Sequence, residues 1–276
     1  MTVARAVSGR WGAPTSVIPH VRELGIVVGA YFAYMYTRSL VFSDVESTAL
    51  SNARRVVSLE KSLGFFWEPQ WQAWVLGSAK GLVIFFNWAY IVTFFPIIIT
   101  AAVTIYMVDR HRYFYYRNVV MLTFVFALIV FMLFPLAPPR MLSNQFVDTI
   151  QQFGPRFYAS REAANYYNAF AAMPSLHFTW TAIFGFMFFR SGRTWLKVVG
   201  VAYPLMTLFA ITITGNHFIV DAIAGIAIML AALGTAWLYQ RLRHRSKSRH
   251  SPRQPALVEA GPAEAERPRA PSRADG

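Results

Sequence analysis

Six apolar stretches near the length needed to cross a bilayer, about 20 residues, recur along this chain of 276 residues, at 24–42, 82–107, 119–137, 175–189, 196–214 and 218–239. Most of the length is therefore committed to membrane-spanning helix. Composition agrees: 55% of residues are hydrophobic and 14% are charged, against about 25% charged in a typical soluble domain. The expected fold is all-α, a polytopic membrane six-helix bundle. Residues 1–23 are expected to form a cytoplasmic N-terminal segment, 24–240 the six-span membrane domain, and 241–276 a basic disordered cytoplasmic tail. The stretch at 175–189 is the shortest, about 22 Å of helix at 1.5 Å per residue.

Orientation follows from the cations. Arg5, Arg10 and Arg22, then Arg110, Arg112 and Arg117, then Arg190, Arg193 and Lys197, then the basic tail all fall on one side of a six-span chain. Positive charge marks that side as cytoplasmic, which places both termini inside and three loops outside. The net charge of +13 is spread over these short segments, so it suits anionic lipid headgroups rather than a nucleic-acid groove. No apolar run precedes residue 24 that would read as a cleavable signal peptide. Cysteine is absent, which excludes disulfides, cysteine nucleophiles and thiolate metal sites.

The first outer loop, 43–81, balances Arg54, Arg55, Lys61 and Lys80 against Asp44, Glu46, Glu60 and Glu68 and carries Trp67, Trp71 and Trp74. It reads as helical and interfacial, an aromatic belt at headgroup level or a grip on substrate. The second, 141–173, contains Tyr158, Tyr166, Tyr167 and Asn168. It is either a passive loop or a cover over a site, since loops of this length are often functional. The tail is rich in Ser, Pro, Ala and charge, too polar to offset the entropy of ordering.

Few ionisable residues lie within or beside the spans, and such residues are costly in a membrane. Arg140 follows the third span, His177 enters the fourth, and His217 and Asp221 enter the sixth; all fall at the outer ends. In GNHFIVD the spacing of His217 and Asp221 is i, i+4, which on a helix brings the side chains into contact. Asp221 then fixes the tautomer of His217 and leaves its other nitrogen free to attack; the alternative is a purely structural His/Asp pair. In MPSLH, Pro174 suits a helix first turn, and free amides near Ser175 favour an oxyanion. His177 from the same turn has the reach of a general acid, against a structural explanation of the short pattern. Arg140, in PLAPPRM, presents a planar fork for phosphate oxygens or snorkels to headgroups.

These segments resemble the signatures of the type 2 phosphatidate phosphatase superfamily, a Pro-Ser-Gly-His segment and a later His-x3-Asp segment. Pro174, Ser175, Leu176 and His177 match the first with Leu in place of Gly; His217 and Asp221 match the second. PPR at 138–140, PSLHF at 174–178 and GNHFIVDAIAG from 215 are similar in style to the branch that includes inositol phosphorylceramide synthases. The resemblance covers about 24–239. It implies a metal-independent enzyme, without cofactor, that moves a phosphoryl group through a phosphohistidine. His217 is then the nucleophile, Asp221 its orienting partner and His177 the general acid, with Arg140, Ser175 and Asn216 on the phosphate. The chain departs from the superfamily at Ile211, where an arginine is usual, at Leu133, where a lysine is usual, and at Met141, where a proline is usual. Either Arg161, Arg156, Arg54 or Arg55 supplies the missing charge from the outer loops, or the substrate is a phosphodiester that needs less.

The expected activity is therefore a lipid phosphatase or phosphotransferase in the cell membrane, acting on a lipid phosphate or phosphodiester at the outer leaflet, with headgroup transfer such as inositol phosphate included. Its partners are that substrate and membrane lipids, and no nucleic acid. Two other classes use the same residues. A transporter relays protons or an ion through His177, His217 and Asp221, and proteoliposome uptake without phosphate release identifies it. A metal-assisted hydrolase uses the three as ligands, and loss of activity in chelator identifies that.

Overall fold

A computed structural model describes residues 17–40, 45–142, 145–155 and 170–250. Among the described residues ten α-helices follow one another: α1 (Ile18–Leu40), α2 (Glu46–Ser62), α3 (Glu68–Ser78), α4 (Lys80–Trp88), α5 (Phe94–Val108), α6 (Arg110–Leu133), α7 (Thr149–Phe153), α8 (Leu176–Phe189), α9 (Thr194–Ile213) and α10 (Ile219–His250). A π-helical turn at Ala89–Thr93 joins α4 to α5, and a 3₁₀ turn covers Pro139–Met141. Among the described residues there is no strand, only an isolated bridge between Leu136 and Ala171. The chain divides into two compact units, 1–237 and 238–276. The first carries everything described below; of the second, the described part is the end of α10.

Among the described residues three helices are long and apolar enough to cross a membrane: α6, α9 and Ile219–Arg243 of α10. A fourth is counted if α3 and Lys80–Val92, bent by 116° at their junction, form one broken span. Phe94–Val108 and Leu176–Phe189 are apolar but shorter. α6 begins well before the expected Val119 because Asp109 caps it, accepting the amide of Arg112 at 3.0 Å; it stops at Leu133, since residues before Pro135 are driven out of helical geometry. α10 continues past the expected end at Tyr239 to His250. Residues 241–250, expected as disordered tail, are thus helical: Arg, Lys and Leu are good helix formers and no Gly or Pro intervenes. Residues 251–276 lie outside the described residues, as does most of the N-terminal segment.

α8 and α9 cross in close contact through glycines. A Cβ on Gly185 would lie 2.4 Å from the Gly200 carbonyl, and one on Gly200 2.5 Å from the Gly185 carbonyl. α10 approaches α8 in the same manner, since a Cβ on Gly225 would lie 2.7 Å from Thr179 Oγ1. Small residues allow such approach where lipid supplies no hydrophobic drive between helices. A core of Phe94 and Ile98 (α5), Val119, Phe124 and Phe131 (α6), Trp180 and Phe184 (α8) and Ile228 (α10) joins these helices. The first loop is helical as expected. α2 buries Ala49, Asn52, Ala53, Val56, Val57 and Glu60, the i, i+3, i+4, i+7 stripe of an amphipathic helix, against Leu136, Phe146 and Phe218.

Candidate active site

The turn between α9 and α10 sets the position of His217. Gly215 has φ +69°, a left-handed conformation that ends many helices. The amides of Asn216 and His217 both return to the Ile211 carbonyl, at 3.0 and 3.1 Å. A Cβ on Gly215 would come 3.3 Å from Arg140 Cβ, and the Gly215 carbonyl accepts the Arg140 amide at 2.9 Å. His217 therefore sits in the turn rather than on the helix, which starts at Ile219. Its Nδ1 is 3.2 Å from Asp221 Oδ2. Because that oxygen only accepts, Nδ1 carries the proton and Nε2 is left as the basic nitrogen. The amide of Phe218 donates to the same oxygen at 3.0 Å, so backbone holds the carboxylate that holds the histidine. Asp221 is fully buried.

His177 lies in the first turn of α8. Ser175 is the N-cap, its hydroxyl accepting the Phe178 amide at 3.4 Å, and Pro174 stands just before the cap rather than within the first turn. The Ser175 amide donates to the Asp221 carbonyl at 3.1 Å, tying the start of α8 to α10. The imidazole of His177 packs on Tyr90 and Phe94, with ring centroids 4.3 and 4.2 Å away. Tyr90 lies in the π turn and Phe94 directly follows it. That turn precedes Pro96, which cannot donate to Val92 and whose ring would collide with the Val92 carbonyl in a regular helix. Widening the helix there relieves the conflict.

Arg140 is fixed by the Pro138–Pro139 turn. Its Nη1 donates to Asn216 Oδ1, and its Nε lies 3.8 Å from Asp148 Oδ2. Asn216 Nδ2 in turn donates to Thr214 Oγ1 at 2.6 Å. Arg140, His177, Asn216 and His217, from three distant segments, line one cavity of about 190 Å³. Tyr31, Phe95, Phe124 and Trp180 on its wall also line an adjoining apolar groove of about 430 Å³ among α1, α5, α6 and α8.

Of the residues expected from sequence, Ser175 is fully buried and is absent from the cavity wall; its hydroxyl is engaged as the helix cap. Ile211, at the superfamily's arginine position, is fully buried against Phe178 and Ala222 and contributes its carbonyl to the His217 turn. Leu133 is 79% exposed at the end of α6. Arg54 and Arg55 are exposed on α2 and are not on the wall, whereas Arg156, Arg161, Tyr158, Tyr166, Tyr167 and Asn168 lie outside the described residues. Among the described wall residues, Arg140 is the guanidinium available to a phosphate.

Two carboxyl groups not singled out from sequence stand behind His217. Glu60 Oε1 accepts the Val220 amide at 2.9 Å, and Glu68 Oε1 accepts the Ile219 amide at 2.8 Å. Both side chains are fully buried, and Oε2 of each has no other hydrogen-bond partner. The two carboxyls accept neighbouring amides and are near enough for each to act on the other's charge. Burial pushes the Glu60 carboxyl up to about 9, with the negative charges of Glu68 and Asp221 acting in the same direction. Burial raises Glu68 as well. Among the described residues, no group of three His, Asp or Glu side chains has a metal-ligating arrangement.

A family profile described as the PAP2 superfamily matches residues 54–235. No curated protein and no solved structure matches the chain.

Proposed function

Since the match spans about two thirds of its length, the chain belongs to the PAP2 superfamily, the type 2 phosphatidate phosphatases and their relatives, and we propose that it is a lipid phosphatase or lipid phosphotransferase working through a phosphohistidine at the outer leaflet. Family membership supports phosphoester hydrolysis or transfer. The observation that carries the finer reading is the shared cavity: a histidine backed by a carboxylate, a second histidine and an amide-braced guanidinium face one space.

In this reading Nε2 of His217 attacks the phosphorus in line with the leaving oxygen. The P–N bond forms as the P–O bond breaks, and His177 gives its proton to the departing oxygen. Arg140, aligned by Asn216, holds nonbridging oxygens, and Asp221 stabilises the imidazolium that His217 becomes. Water or an acceptor hydroxyl then attacks the phosphohistidine. His177, now neutral, takes its proton, and the P–N bond breaks. A lipid substrate is supported by the apolar groove that shares four residues with the cavity, which suits hydrocarbon beside the headgroup. Transfer of an inositol phosphate or another headgroup is the same chemistry with an alcohol as acceptor.

The test is incubation of the purified protein with a panel of lipid phosphates and phosphodiesters, following free phosphate and new lipid products together. A label from the substrate phosphate should be trapped on the protein as an acid-labile, base-stable adduct and be lost in a folded His217→Ala variant. Full turnover by that variant refutes the reading.

A further inference from the structure

A buried helix start needs donors satisfied, and a single Ser, Thr or Asn normally does this. At the start of α10 three acids do it instead: Asp221 for the Phe218 amide, Glu68 for Ile219 and Glu60 for Val220. Uncompensated, three buried carboxylates would be strongly destabilising. The α2–α3 turn puts two of them together. Gly64, with φ +78°, reverses the chain after the last turn of α2, so that Glu60 and the first residue of α3, Glu68, meet at the same helix end. Among the described residues neither has an ion-pair partner. Lys61, the neighbouring cation, is directed over the Phe66 ring at 5.2 Å.

We propose that Glu60 and Glu68 are positioning residues for the reaction: sharing one proton, they clamp the first amides of α10 and thereby hold Asp221 and His217 in register with the cavity. The inference rests on His217 being the nucleophile. With both groups ionised, two negative charges adjoin and each buried Oε2 is left without a donor. One proton between them supplies the missing donor and removes one negative charge, as in other carboxyl pairs that share a site. Each Oε1 then remains free for its amide. The positive end of the helix dipole offsets part of the charge that is left. The charged groups facing the pair are Asp221 on α10 and each carboxyl to the other; His217 lies beyond Asp221. Neither glutamate lies on the cavity wall, so their effect on chemistry passes through the α10 start.

A glutamine at 60 reproduces the proton-sharing state without a titratable proton: its Oε1 accepts Val220 and its Nε2 donates to Glu68. The experiment compares wild type, Glu60→Gln, Glu60→Ala and His217→Ala as purified full-length proteins, on the lipid ester that wild type turns over, from pH 6 to 10. Wild-type kcat should fall as the pair loses its proton near pH 9. Glu60→Gln should keep wild-type kcat at pH 7 and lose that alkaline limb. Glu60→Ala should lower kcat by about ten- to a hundredfold, the range seen when groups that orient a reactive ligand are removed, at nearly unchanged KM. Thermal unfolding gives a second readout. Between the ordinary carboxyl value of 4.5 and about 9 the folded protein keeps a proton that the unfolded chain releases, so stability declines as pH rises through that window. Glu60→Gln should flatten the decline. The inference is overturned if Glu60→Gln retains the wild-type alkaline limb, or if Glu60→Ala keeps wild-type kcat. Turnover by His217→Ala instead overturns the functional reading beneath it.

Discussion

Replacing Asp221 by Asn tests how His217, the proposed nucleophile, is held. In a Ser-His-Asp triad the corresponding Asn imposes the wrong tautomer on the ring and costs about 10⁴ in kcat. Here the geometry opposes that outcome. Oδ2 accepts both His217 Nδ1 at 3.2 Å and the Phe218 amide at 3.0 Å, and a flipped amide would point its hydrogens at a backbone N–H. An unsatisfied buried donor costs about 1–3 kcal/mol, so the oxygen of Asn stays where the carboxylate oxygen was. What is lost is charge. A hydrogen bond to an ionised partner is worth about 1.5–3 kcal/mol and a neutral one about 0.5–1.5, a difference of about 1–1.5 kcal/mol, or roughly five- to tenfold in kcat. The other carboxylate oxygen, Oδ1, is buried without a partner. An amide nitrogen there removes a buried charge near Glu60 and Glu68 but is itself a buried donor without a partner, which costs about 1–3 kcal/mol, so the melting temperature should fall modestly. The assay is kcat on the lipid ester together with thermal unfolding of the same sample. A loss of 10³ or more in a fully folded variant would mean that Phe218 does not fix the side chain; unchanged kcat would mean that the carboxylate charge does not support the imidazolium.

Gly225→Ala should lower stability by about 1–3 kcal/mol, the usual cost of overpacking, and reduce kcat, because the new Cβ would lie 2.7 Å from Thr179 Oγ1 and 3.2 Å from the Ser175 carbonyl. Those two atoms already bond each other at 2.8 Å and cannot part freely, so α8 and His177 must move; a wild-type melting curve would show that the helices are not packed this closely. Asn216→Ala should raise KM about tenfold with a smaller change in kcat, since the residue aligns the Arg140 guanidinium and one charge-assisted hydrogen bond is lost. Steady-state kinetics on the same ester decide it, and an unchanged KM would remove Arg140 alignment from Asn216.

Much of the site was legible in the sequence because its residues are chemically conspicuous. An i, i+4 His/Asp pair in an apolar segment, a histidine two residues after Pro-Ser, and an arginine after a proline run stand out wherever they are placed. The local geometry was less legible. The His217–Asp221 contact forms as expected, but from a left-handed glycine turn followed by a helix that starts later, because the Ile211 carbonyl captures two amides beyond Gly215. Ser175 reads as a phosphate ligand in a motif and acts in the fold as the cap that sets where His177 emerges. Tyr90 and Phe94, which hold the His177 ring, are two aromatics among many, marked only by the proline that follows them.

Glu60 was hidden by arithmetic. Counted with Asp44, Glu46 and Glu68 against four cations, it disappears into a balanced interfacial loop. Its spacing gave the better signal: Ala49, Ala53, Val56, Val57 and Glu60 fall on one helical stripe, so the face that buries the first four must bury the fifth. A carboxyl on an apolar stripe requires donors, and the chain's own order restricts who can supply them. Gly64 turns Glu68 back onto Glu60, and the helix whose first amides are left over is the one that follows His217. The same reasoning applies to any acid on a buried stripe near a glycine turn. Its partner is sought among unsatisfied helix starts before it is counted as surface charge.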